Sequence, residues 1–323
     1  MKKWLPAVLL VGAFVSALYL GATQIDNFWS AFFNPGSNEI LWQIRFPRVT
    51  AAVIVGAALG VAGLLAQGAC NNAVAEPAIL GTAAGAAFGA VLAISTGLVQ
   101  VGTIGAIICG TIGALLTTSL TFKLAAIRGT LSSFALIIVG IAVSAIFTSF
   151  VGIASAMVSR ADARSISFWS FGSLALITSE NLIGIAATTV IGLVIAWKIA
   201  PSLDRLSLGD ATAFHLGVNV ARIPLIALIA LSILAGGAVS TVGSIAFIGL
   251  AAPHIARFIY GPSHRALVTH SAIIGGLIVV VADTVSRTIA QPNELPIGLA
   301  TALLGAPVLI ALVAFKNNVW RTQ

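Results

Sequence analysis

An all-α, polytopic membrane fold of about ten transmembrane helices is the class this sequence predicts, on two observations. Of its 323 residues, 59% are hydrophobic and only 8% are charged, against roughly 25% charged in soluble domains, and the mean hydropathy is +1.09. Long uncharged runs also follow one another with only short charged interruptions, so residues 1–323 read as a single transmembrane domain. Crossing a hydrocarbon core about 30 Å thick takes about 20 helical residues, and runs of that order recur from end to end.

The first run, 4–23, follows Lys2 and Lys3 and has the pattern of a signal peptide, but an apolar core of about 20 residues favours a retained helix. Next comes "IRFPRV", in which Arg45 and Arg48 flank Pro47 just before the uncharged stretch 49–75. Proline suits the first turn of a helix, where its missing N–H costs nothing, so the second span is expected to start there, over 49–65. The stretch 77–122 is too long for one helix and is split at Gly97 and Gln100. Runs 129–159 and 181–197 give one span each. Gly236 and Gly237 divide 223–253 into a full span and a shorter one, and 266–282 and 295–315 complete the series. Gly56, Gly60 and Gly63, and Gly81, Gly85 and Gly89, are spaced for close helix packing, which in lipid depends on small residues.

Lys and Arg counts set the orientation. With a cytoplasmic N-terminus, eleven fall in inner loops (Lys2, Lys3, Lys123, Arg128, Lys198, Arg205, Arg222, Arg257, Arg265, Lys316 and Arg321) and five outside (Arg45, Arg48, Arg160, Arg164 and Arg287). The net charge of +7 therefore reflects topology, and nucleic acid is not an expected partner.

Soluble chemistry is not expected. No lysine follows a glycine, so the phosphate-binding pattern GxxxxGK[ST] is missing and any ATP must be hydrolysed on another polypeptide. Cys70 and Cys109 have no spacing partner, and His215, His254, His264 and His270 are scattered. No catalytic residue, cofactor or metal site is expected. Three segments are too polar or turn-rich for their surroundings: "NNAVAEPAILG" (71–81), "LSLGDATAFHLGVNVARIP" (206–224), with helix-like spacing at Leu208, Ala211, Phe214 and His215, and "GSIAFIGLAAPHIARFIYGPSHR" (243–265).

These three, with "RFPRVTAAVIVGAALGVAGLLAQG" and "ADTVSRTIAQPNELPIGLATALLGAP", occur in order over about residues 40–315. In that order and spacing the chain resembles the permeases of the iron-siderophore, haem and cobalamin ABC importers. The resemblance implies a ten-helix subunit of the bacterial cytoplasmic membrane with both termini inside. It pairs with a second permease subunit, identical or paralogous, above two cytoplasmic ATPase subunits and below an extracytoplasmic substrate-binding protein. By likeness, the segment about 204–220 couples to the ATPase through Leu208, Gly209, Asp210, His215, Leu216 and Gly217. An inner gate maps to Asn72 and Val74 and to Ser132 and Ser133, though the chain departs from the family pattern at Ala73, where proline is usual, and at Asn71, where a basic residue is common. Simple capping by Asn72 and Ser132 is the alternative.

Arg45, Arg48 and Arg287 lie on the face that the positive-inside bias disfavours, and the resemblance makes them contacts for glutamates of the binding protein, where charge pairing sets register and encounter rate. Snorkelling to lipid phosphates is the bland alternative. A ferric siderophore is the expected cargo, with haem or cobalamin as alternatives. An ion-coupled carrier, the alternative of a different class, needs ionisable residues deep in the spans, and only Asp283 lies near that depth.

Overall fold

The computed structural model describes residues 4–21, 23–100, 102–126, 133–290, 293–303 and 305–307, and these are helical without strands. Six helices are long and apolar enough to cross a membrane: Ile40–Ala69, Ile104–Ala125, Ser133–Met157, Ser179–Leu206, Arg222–Val242 and His264–Ile289. Shorter apolar helices lie at Leu5–Tyr19, Thr82–Ser95 and Ile297–Pro307. In chain order the elements are α1 (Leu5–Tyr19), α2 (Phe28–Phe33), a π turn (Ile40–Arg45), α3 (Phe46–Ala69), α4 (Thr82–Ser95), α5 (Ile104–Ala125) and α6 (Ser133–Met157). They continue with α7 (Arg160–Ser170), α8 (Ser179–Leu206), α9 (Asp210–His215), α10 (Arg222–Val242), α11 (Ile248–Tyr260) and α12 (His264–Ile289).

The second span does not begin at Pro47. It begins at Ile40, and the helix runs unbroken through the proline. In a regular α-helix the proline ring would meet the carbonyl four residues back. The π turn before it widens the coil, with the Phe46 N–H reaching the Leu41 carbonyl, and so accommodates the ring. The expected break in 223–253 also moves: Gly236 and Gly237 sit inside an intact α10, and the chain breaks at 243–247, before the thirteen-residue α11.

α3 is the central post, buried along nearly its whole length and packed by α8, α10, α11 and α12. The glycine rows explain how closely. A Cβ at Gly56 would overlap the Gly275 carbonyl on α12, one at Gly60 the Ser271 carbonyl, and one at Gly63 the backbone of Gly249 on α11. Gly85 and Gly89 do the same for α4 against α5 at Gly113 and Cys109. Gly81 serves differently, starting α4 at φ 87. By contrast α6 leaves most of its surface exposed, as a helix facing lipid or another subunit does.

Candidate functional site

Three clusters hold the sequence-predicted residues, two at the end of the bundle where α3 finishes and one where it starts. The loop from Cys70 to Gly81 joins α3 to α4. Asn72 Oδ1 accepts the Val74 N–H at 3.0 Å and the Asn72 carbonyl accepts the Ala75 N–H at 3.1 Å, which folds residues 72–75 into a tight turn. Asn71, where the resemblance led one to expect a basic residue, stands at φ 44, a left-handed conformation that Asn tolerates. Ser133, the first residue of α6, donates its hydroxyl to the Cys70 carbonyl, and Ser144 holds the Ala78 carbonyl at 3.0 Å. The structure thus brings Asn72, Val74 and Ser133 to one loop cluster, with Val74 exposed. Ser132 lies outside the described residues.

Within this loop Glu76 is a residue that sequence reasoning passed over. Its Oε1 accepts the backbone N–H of Phe247 at 3.0 Å, and burial pushes its carboxyl up to about 7 although that hydrogen bond favours the charged form.

The second cluster is the segment after α8. Gly209 at φ 96 and Gly217 at φ 77 bracket α9; only glycine takes such angles without cost. Ala213 is buried and anchors the helix, and the Val218 N–H returns to the Ala213 carbonyl at 2.9 Å. That leaves Phe214 on the helix exposed at 70%, with Leu208 before it and Leu216 after it exposed too. At its base Asp204 accepts the Ser263 hydroxyl at 3.1 Å, the His264 N–H at 2.6 Å and pairs with His264 Nδ1 at 2.8 Å. One carboxylate therefore ties the end of α8 to the start of α12, where negative charge also suits the helix dipole.

The third cluster holds the three arginines expected at the docking face. Arg45, Arg48 and Arg287 are 4%, 8% and 7% exposed, so they form no free cationic landing surface. Arg45 Nη1 donates to the Leu18 and Tyr19 carbonyls, both at 2.8 Å, and Nη2 to the Thr23 carbonyl. Arg287 Nη2 donates to the Ala17 carbonyl. Together they satisfy carbonyls at the C-terminal end of α1, which have no intrahelical partner. Arg48 donates from Nε and Nη2 to Asp283 and from Nη1 to Glu294 Oε1 at 2.9 Å, while Arg287 Nε lies 3.6 Å from Asp283 Oδ2. The physical reason is local: the π turn carries Arg45, and the first turn of α3 carries Arg48, into the α1–α3–α12 junction, where carbonyls and carboxylates outcompete solvent. Asp283, 1% exposed, is neutralised by this pairing and is no free ion relay.

Among the described residues no group of three or more His, Cys, Asp or Glu is placed to hold a metal, and Cys70 and Cys109 are free thiols.

Residues 8–315 match the FecCD transport family. The chain is 36% identical over 313 residues to the iron(3+)-hydroxamate import system permease protein FhuB of Bacillus subtilis, covering 94% of this chain and 80% of that one. It is 34% identical over 312 residues to the hemin transport system permease protein HmuU of Yersinia pestis, covering 95% and 93%. A solved inward-facing structure described as of the metal-chelate type of ABC transporter superposes with a TM-score of 0.83 at 28% identity, covering 97% of this chain and 98% of that one.

Proposed function

The chain belongs to the FecCD transport family, and on that premise we propose that it is the membrane-spanning permease of an ATP-driven, binding-protein-dependent importer whose cargo is a ferric siderophore. The observation that carries the reading is the segment around α9, where Phe214 on the helix and Leu208 and Leu216 at its flanks are exposed and Gly209 and Gly217 bracket the helix at positive φ. Exposed apolar side chains on a rigid helix are a surface built to be covered, and a cytoplasmic ATPase subunit is the partner that this reading assigns. ATP binding closes the two ATPases on each other; a helix seated in their cleft follows, and Asp204 passes the displacement to α12.

In this reading Asn72 and Val74, with Ser133, narrow the inner end of the pathway, and Ser132 belongs with them by sequence position. A second permease, identical or paralogous, completes the pathway. The chain crosses the membrane ten times with both termini inside. The buried trio Arg45, Arg48 and Arg287 supports the binding-protein docking face from beneath by fixing the ends of α1, α3 and α12.

Uptake by proteoliposomes containing this permease, its ATPase and its binding protein tests the proposal. Accumulation of a ferric hydroxamate that requires ATP and the binding protein, and survives collapse of the ion gradient, is the expected result. Accumulation driven by the gradient alone would establish a secondary carrier. Haem and cobalamin, assayed in parallel, are the second reading of the cargo, favoured by the likeness to a hemin permease.

A further inference from the structure

α11 starts inside the protein without a cap of its own. Ile248, Gly249 and Leu250, its first residues, are buried, and no side chain local to the helix accepts from its first N–H groups. Phe247, which precedes them, is held at φ 68, an angle that is costly for a bulky residue and persists only where the surroundings impose it. A helix end buried without partners is costly, and the partner here comes from elsewhere in the sequence: Glu76 of the 70–81 loop receives the Phe247 N–H at 3.0 Å. In a capping box a carboxylate three residues into the helix reaches back to that same N–H. Glu76 performs this task across 171 residues of sequence.

The packing around the contact is equally specific. Gly249 faces the Pro77 ring and the Glu76 Cγ on one side and the Gly63 backbone of α3 on the other, so that even a methyl group there would press on all three. Gln67 of α3 reaches the Gly249 carbonyl at 3.4 Å, and Glu76, Ser244, Ile245 and Gly249 line a small cavity beside the bond. The loop, the central post and the half-length helix therefore meet at one place, and only Glu76 joins the loop to the helix start by a hydrogen bond among those described there.

We propose that Glu76 is the positioning residue that fixes the inner loop 70–81 to the start of α11, so that the turn at Asn72 and Val74 and the broken segment 243–260 shift as one body when α11 moves. Its consequence for transport rests on the gate reading of that loop; the contact does not. A side-chain oxygen at this position, charged or not, is what the role requires.

The experiment is hydrogen–deuterium exchange on the full permease–ATPase complex in lipid nanodiscs, with uptake measured on the same preparations. In Glu76→Ala, exchange across residues 247–252 should rise about tenfold, the factor that losing a hydrogen bond to a half-buried carboxyl gives, and uptake should fall by a similar factor. Glu76→Gln keeps an oxygen in place and should stay within about twofold of the parent in both readouts. Where Glu76→Ala does not survive purification, Glu76→Asp, which cannot reach Phe247, takes its place with the same expectation. Exchange in the truncated variant that matches the parent, or a glutamine variant as perturbed as the alanine one, overturns the proposal. A parent complex that shows no ATP-driven uptake defeats the importer reading alone, since the exchange data still decide whether Glu76 holds α11.

Discussion

Arg48 on α3 and Asp283 on α12 meet in a buried two-point contact: Nε and Nη2 of the guanidinium both donate to Oδ1 of the carboxylate, at 3.0 and 2.9 Å. Burying both charges costs desolvation that the pairing has to offset, so removing one partner is far worse than removing both.

Asp283→Ala should therefore destabilise the chain by about 3–5 kcal/mol, leaving two guanidinium groups facing each other without their shared anion. The double variant Asp283→Ala with Arg48→Leu should recover part of that loss, a non-additivity that a double-mutant cycle reads directly. Thermal unfolding in detergent is the measurement. Strictly additive losses would mean that the two side chains act independently.

At the opposite end, Gly209→Glu or Leu216→Glu should separate hydrolysis from uptake. The first forces a side chain into φ 96 and the second places charge in the exposed apolar patch of α9, while neither touches the buried bundle. Uptake is expected to drop at least about tenfold, the factor that about 1.4 kcal/mol of lost coupling gives, with membrane insertion at parent levels. Parent-level uptake in both variants would remove α9 from the coupling path.

Asp204→Ala strips three hydrogen bonds from the junction of α8 and α12. A loss of about 1–3 kcal/mol is expected from unpairing the buried His264 alone. Asp204→Asn keeps an acceptor for the His264 N–H and should retain about half or more of that stability. Chemical denaturation of the two variants side by side checks the order.

The acidity of Glu76 fixes the sign of a pH effect. Its carboxyl titrates near 7 in the folded chain, raised by burial from 4.5. The folded state then holds the proton more tightly than the unfolded one, and the stability tied to this group is fully present below pH 4.5 and lost as pH rises through 7. Unfolding midpoints of the parent should fall over that window relative to those of Glu76→Gln, which has no proton to lose. Parallel curves for the two would place the carboxyl in contact with water.

Much of this architecture was legible in the residues. Lipid imposes long apolar helices, and that requirement writes itself into composition, so α3, α6, α8, α10 and α12 follow from run length. Gly209 and Gly217 were singled out only by resemblance, and their positive φ angles came with the structure. What escaped was determined by contacts between distant segments. Nothing in "IRFPRV" says that α1 returns to offer its terminal carbonyls to Arg45, and nothing in "NNAVAEP" says that a helix 171 residues onward needs a cap. Charge at the mouth of a span looks the same whether it faces a partner protein or a neighbouring helix.

The π turn at Ile40–Arg45 makes the end of the bundle where α3 starts sensitive to chain length rather than to side-chain chemistry. A regular α-helix advances about 100° per residue, so deleting one residue within Ile40–Arg45 and letting the coil tighten would rotate everything before Phe46 by roughly that angle relative to α3. Arg48 would keep its place on Asp283, while Trp42 would part from Phe46 and α2, stacked on Trp42 through Phe32, would turn with it. A family member with one residue fewer in this turn would therefore need a differently built rim, and an insertion or deletion there is a marker by which relatives that differ at this end of the bundle can be sorted.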